Sequence, residues 1–301
     1  MPIGLELGLV AAIAWGWTDV SAALAGRRFG SLPVAAVVQA TSLVAVLAVA
    51  IVRGAGFPSR PDDVAVAAVA GAVAALAYVS FFTALRIGPV SVVSPIVAAY
   101  GGLTVVLAVL FRGETLAPLQ AVGAAVATAG VVMTGLVADG GWRSTRIVGP
   151  GVLFGLIATV SFAVLTVAIA GPIRSSGWLP ILVVSRFANA ATVWAILAVV
   201  LAFRPRIATP LVRPADASSG RRSLTIAAGI AVAAGLLDVG GFIAYAIGLE
   251  NAPTWIVGLV SSFGPVVSVL VAVVIWHERP RRSQWLGLAM IALGVVAVAM
   301  P

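Results

Sequence analysis

Three ionisable side chains stand inside long apolar stretches of this sequence: Asp19, Arg186 and Asp238. A charge in such a place is costly, so it faces a partner or a wet cavity, and it marks pathways, proton relays and ligand counter-ions. Asp238 falls near the middle of its stretch. With Gly241, Phe242 and Tyr245 it occupies i, i+3, i+4 and i+7, one continuous face of a helix. Two roles fit it. It can carry a proton or stand against a cationic group of a bound ligand, or it can be the structural partner of Arg186. Asp19 follows Trp15 by one helical turn on a shared face, and it either serves the same chemistry or bonds nearby hydroxyls at an interface.

The three tyrosines, Tyr78, Tyr100 and Tyr245, also lie inside apolar stretches. A buried phenol needs a hydrogen-bond partner, which can be a ligand or a neighbouring helix. Trp15 is either a cavity wall or a packing residue. Ser94 before Pro95, and Ser261-Ser262 ahead of Pro265, mark two helix kinks, since proline frees a carbonyl. Trp15, Asp19, Tyr78, Ser94, Tyr100, Asp238, Phe242, Tyr245 and Ser261 are therefore the candidate substrate-binding and transport residues. Glu114 and Glu278 read as turn-stabilising residues, and His277 as a solvated loop residue. The sequence has no cysteine and one histidine, and it lacks HExxH, Walker A and GxSxG patterns. No catalytic residue, metal or cofactor is expected, and the chain is not expected to be an enzyme.

The elements that position these residues follow from composition. Of 301 residues, 61% are hydrophobic and 9% charged, and the mean hydropathy is +1.15. A soluble domain of this size carries about 25% charged residues, so the solvent here is lipid. Breakers and charges divide the chain into ten spans: 5–24, 33–52, 64–84, 90–111, 117–137, 149–170, 180–203, 224–248, 254–276 and 284–300. Each is close to the length that crosses a bilayer as a helix. The first is expected to be a retained helix rather than a signal peptide, because its start holds Glu6 and no basic residue. Arg186 lies inside span 7 near its entry end, where a long stem can carry the guanidinium to the headgroups.

The ten spans repeat. At an offset of 147, Gly4 and Gly8 match Gly151 and Gly155, and Gly30 and Pro33 match Gly177 and Pro180. At an offset of 164, Leu85, Pro89, Glu114, Gln120, Gly123 and Gly130 match Leu249, Pro253, Glu278, Gln284, Gly287 and Gly294. The Glu and Gln coincidences weigh most, because the chain has only four Glu and three Gln. The polar loop 204–223 absorbs the change of offset. Five spans per half is an odd number, so the second half enters the membrane from the other side. The expected fold is all-α transmembrane, ten helices in two inverted five-helix repeats, 1–140 and 147–301. That is the build of a secondary transporter with a site between the halves. Gly4-x3-Gly8 and Gly151-x3-Gly155 read as close-packing surfaces.

Trp15-Gly16, the stretch ALRIGPVSVVSP at 84–95, Gly113-Glu114 with its echo His277-Glu278, and the glycine-rich last spans resemble the drug/metabolite transporter superfamily, in particular its EamA-type ten-helix branch. The resemblance covers essentially the whole chain. It implies a transporter of small organic molecules, often an exporter, with a central cavity lined by spans 1, 3, 4, 6, 8 and 9 and with spans 5 and 10 at the periphery.

All 18 basic residues are arginine. They are scattered between spans rather than gathered on one soluble face, which speaks against a nucleic-acid partner. Loops after spans 1, 3, 5, 7 and 9 hold 13 of them, and the other loops four. The positive-inside rule then puts both termini outside, whereas the resembling family often keeps them in the cytoplasm. The expected function is alternating-access export of a small organic metabolite or amphipathic drug, with protons as a candidate coupling ion. The expected setting is the inner membrane of a bacterium. A non-transporting membrane scaffold or accessory subunit is the alternative.

Overall fold

In a lipid core every backbone amide must be satisfied within its own segment, so apolar spans of this composition fold as helices. The computed structural model describes residues 2–87, 96–135, 150–203, 221–264, 266–267 and 282–300. Among them are ten helices: α1 (Pro2–Phe29), α2 (Ser31–Arg53), α3 (Pro61–Ile87), α4 (Tyr100–Arg112), α5 (Pro118–Gly135), α6 (Pro150–Ser176), α7 (Trp178–Phe203), α8 (Arg221–Asn251), α9 (Thr254–Ser261) and α10 (Arg282–Ala299). They correspond one to one with the ten spans. Seven are long and apolar enough to cross a membrane.

The repeat is visible in the backbone. Gly30 joins α1 to α2 at φ 85°, and Gly177, its equivalent at offset 147, joins α6 to α7 at φ 84°. Only glycine takes this conformation without strain, and it turns each chain within one residue. Helix packing repeats as well. A side chain at Gly235 of α8 would lie 2.8 Å from the Val38 carbonyl and 2.6 Å from Thr41 Cβ of α2. Its equivalent, Gly71 of α3, is pressed onto the Ser185 carbonyl and Ala188 of α7, the equivalents of Val38 and Thr41. Gly4 and Gly8 pack against Ala252, Ile256 and Val260, the close-packing role expected of them.

The most extensive contacts nevertheless cross the two repeats: α1 lies along α8, α3 along α6, and α5 along α10. The result is two mixed bundles, α1-α2-α8-α9 and α3-α4-α6-α7, which meet chiefly where α2 touches α7 and α4 touches α9, and also where α8 meets α6 and α7. Helices α5 and α10 sit beside them as a pair, drawn together by Gly123 against the Gly294 backbone and Gly130 against the Gly287 backbone. This matches the peripheral place implied for spans 5 and 10.

Spans 4 and 9 each carry a break in regular helical bonding among the described residues, while the expected kink residues Ser94, Pro95 and Pro265 lie outside them. In span 9 the backbone tightens to i→i−3 bonds, Ser262 N–H to Leu259 O at 3.2 Å and Phe263 N–H to Val260 O at 3.2 Å. In span 4 Ala99 N–H makes the same bond to Ile96 O at 3.3 Å. His277, Glu278 and the loop 204–220 also lie outside the described residues.

Candidate functional site

The charged pair at the centre joins the two bundles. Asp238 of α8 and Arg186 of α7 are buried, with 0% and 2% of their surface exposed. Arg186 Nη1 lies 3.4 Å from Asp238 Oδ2 and donates to Gln39 Oε1 of α2 at 3.2 Å. Tyr78 of α3 donates its hydroxyl to Asp238 Oδ1 at 3.1 Å, and Ser42 of α2 lies against the same carboxylate. The guanidinium sits 3.7 Å above the Phe242 ring. A charge pair out of water survives only when its remaining hydrogen-bonding sites are occupied. Here a phenol, an amide and a π face supply most of that, while Arg186 Nε has no hydrogen-bond partner among the described residues.

This corrects the expectation for Arg186. It does not extend to the headgroups. A buried carboxylate one helix away and an aromatic face under the guanidinium hold it at the centre. Asp238 accordingly holds the structural partnership that was one of its two candidate roles.

Gln39 and Arg186 are equivalent residues of the two repeats, 147 apart, and so are Tyr78 and Phe242, 164 apart. The pseudo-two-fold axis therefore runs between Gln39 and Arg186. Each position on it carries different chemistry: an arginine faces a glutamine, and Asp238 has Ala74 as its equivalent. The scaffold is symmetric and the charge is not.

Aromatic side chains enclose the pair. The Trp15 ring of α1 meets Phe242 edge-on at 4.8 Å and Tyr245 at 5.2 Å. A side chain at Gly241 would fall 2.6 Å from Trp15 Nε1, so that glycine makes room for the indole. Tyr245 donates to Thr166 Oγ1 of α6. Phe162 of α6 stands between Tyr78, at 5.5 Å, and Tyr100, at 5.7 Å, and Tyr100 pairs its hydroxyl with Ser261 Oγ at 3.3 Å. All three tyrosines thus find protein partners.

Asp19 completes the group. It is half-buried, one turn from Trp15, and within electrostatic reach of Asp238, Tyr78 and Tyr100. Among the described residues it makes no hydrogen bond or ion pair. Of the nine candidate residues, eight converge on this centre and Ser94 lies outside the described residues. Gln39, Thr166 and Phe162 were not singled out from sequence. Gln39 left a readable signal, the offset of 147 from Arg186. So did Phe162 and Thr166, which stand 147 residues after Trp15 and Asp19.

The family model of EamA-like transporters matches the chain twice, over residues 2–136 and 149–300. The chain belongs to the EamA-like transporter family. It is a multi-pass integral membrane protein and a membrane transporter of small solutes, and the members of this family are transporters, not enzymes. Among 29 matching chains of solved structures, one described only as the crystal structure of a protein has a TM-score of 0.77. It is 23% identical, and the match covers 98% of this chain and 96% of that one. At that identity the likeness speaks for the fold. No curated protein matches. The two EamA-matched repeats meet at the centre described above.

Proposed function

We propose that this EamA protein exports a small organic metabolite or amphipathic drug by alternating access about the Asp238–Arg186 centre, in exchange for protons, in the inner membrane of a bacterium. Export rests on the family resemblance. The observation that carries the coupling is the charge balance of the centre. Asp19 and Asp238 supply two carboxylates to the single guanidinium of Arg186 among the described residues. An uncompensated charge in a low-dielectric interior is costly, so the cluster takes up either a proton or the cationic group of a solute. Asp238 is internally compensated, which leaves Asp19 as the group that exchanges its proton. Trp15, Tyr78, Tyr100, Phe242, Tyr245 and Ser261 line the solute's place, and Ser94 is proposed with them on the strength of its kink motif.

The moving bodies in this proposal are the mixed bundles rather than the two repeats, 1–140 and 147–301. Sliding one repeat against the other would break the α1–α8, α3–α6 and α5–α10 contacts together. Parting the bundles breaks narrower seams, α2–α7 and α4–α9 foremost, with the smaller α7–α8, α6–α8, α2–α3 and α6–α9 contacts.

The test is solute accumulation in proteoliposomes with and without an imposed pH gradient. Asp19→Asn is expected to abolish the gradient's effect while equilibrating exchange persists. Gradient-driven accumulation that survives in both Asp19→Asn and Asp238→Asn overturns proton coupling at this centre.

A further inference from the structure

A second charged network lies at the end of the molecule where α4, α6 and α8 finish and α7 and α9 begin. With an even number of antiparallel helices, this is also the face of the chain termini. Helix α9 starts at Pro253, which offers no capping side chain. Its free amides are met from the opposite bundle: Glu114 Oε1 accepts from Thr254 N–H at 3.0 Å, and Oε2 from Trp255 N–H at 3.0 Å. Arg174 of α6, in the same bundle as Glu114, takes the end of α8. It donates from Nε to Leu249 O at 2.9 Å and from Nη2 to Ala252 O at 2.8 Å and to Thr254 Oγ1 at 3.1 Å. Arg174 and Glu114 are themselves 3.4 Å apart. In the reverse direction, Glu250 of α8 accepts from Trp178 N–H at the start of α7, at 3.1 Å.

We infer that Glu114, Arg174 and Glu250 form the gate that closes the termini-side face of the transport pathway. Each places a charge on backbone groups of the other bundle, a carboxylate at a helix start and a guanidinium at a helix end, in agreement with the sign of the helix dipole. Glu114 stands 3.8 Å from Arg112 of its own turn, but both of its backbone hydrogen bonds go to the far side of the bundle seam. All the groups involved sit at a helix end next to the membrane surface, so water can replace each bond when the bundles part. The closed state is therefore favoured by a few charge-assisted bonds and not locked. The inference rests on the family's transport activity and on this geometry. It is independent of the chemistry proposed for Asp19.

The chain lacks cysteine, so a single Ser261→Cys change places a clean thiol reporter at the centre, where Ser261 is 2% exposed. Its reaction with a membrane-impermeant methanethiosulfonate is measured from each face of oriented vesicles. Glu114→Gln and Arg174→Gln are each expected to raise the rate from the termini face about tenfold, the effect of losing one or two net bonds, and to lower it from the other face. Glu250→Gln is expected to act in the same direction more weakly. Glu6→Gln, which removes an exposed charge near the same face, should change nothing. Unchanged rates in the Glu114 and Arg174 variants would overturn the gate, and so would a rise of equal size from both faces, the mark of a loosened fold.

Discussion

Asp238 and Arg186 show how a buried charge can be tolerated without leaving the membrane interior. Tyr78, Gln39 and the Phe242 ring occupy most of the sites that water would fill, so removing one partner strands the other. Arg186→Met is expected to lower stability by about 3–5 kcal/mol, read as thermal unfolding in detergent, because it leaves an uncompensated carboxylate. The double change Arg186→Met with Asp238→Leu is expected to recover most of that loss. Tyr78→Phe removes a single donor and should cost about 1 kcal/mol. If the double variant is no more stable than Arg186→Met, the pair is not what holds these side chains in place.

At the scale of elements, glycines set how closely helices approach. In α5 and α10, a side chain at Gly294 would stand 2.6 Å from the Gly123 carbonyl and 2.7 Å from Ala127 Cβ. Neither obstacle can yield without separating the helices. Gly294→Val is expected to destabilise the protein by about 1–3 kcal/mol through overpacking. The same change at Gly240, where a side chain meets open space, should be close to neutral in the same unfolding assay. The equivalence of Gly71 with Gly235, and of Gly30 with Gly177, shows that the repeat is a shared packing scheme and not a resemblance of composition.

For the molecule as a whole, the main consequence is that a repeat is not a body. Each half places its hydrophobic faces against the other half, α1 on α8 and α3 on α6. Residues 1–140 and 147–301 expressed separately are therefore expected to give no stable monomeric species by size-exclusion chromatography, and co-expression to restore one. The arginine distribution makes a further prediction: a fluorescent protein fused to the C-terminus stays dark in intact cells, because 13 of the arginines fall, by sequence, in the connections after spans 1, 3, 5, 7 and 9, which face away from the termini. A bright fusion would establish the family's usual orientation instead.

Lipid as solvent, ten helices, the inverted repeat and eight residues of the centre were legible in the chain. Each is written in periodicity, in composition or in rare residue types at a fixed offset. Helical spans are local, and their backbone is satisfied within the segment, so sequence alone determines them. Partnership is not local. Whether Arg186 reaches the lipid surface or Asp238 depends on which face α7 turns to α8, and neither helix records that alone. Glu114 reads as part of its own turn until α9 is seen to begin beside it. Phe162 and Thr166 are the offset-147 equivalents of Trp15 and Asp19, but only the packing of α6 against α3, α4 and α8 shows which side chains they meet at the centre. The tertiary structure decided which charges meet, because a buried charge is stabilised by groups distant in sequence and adjacent only in the fold.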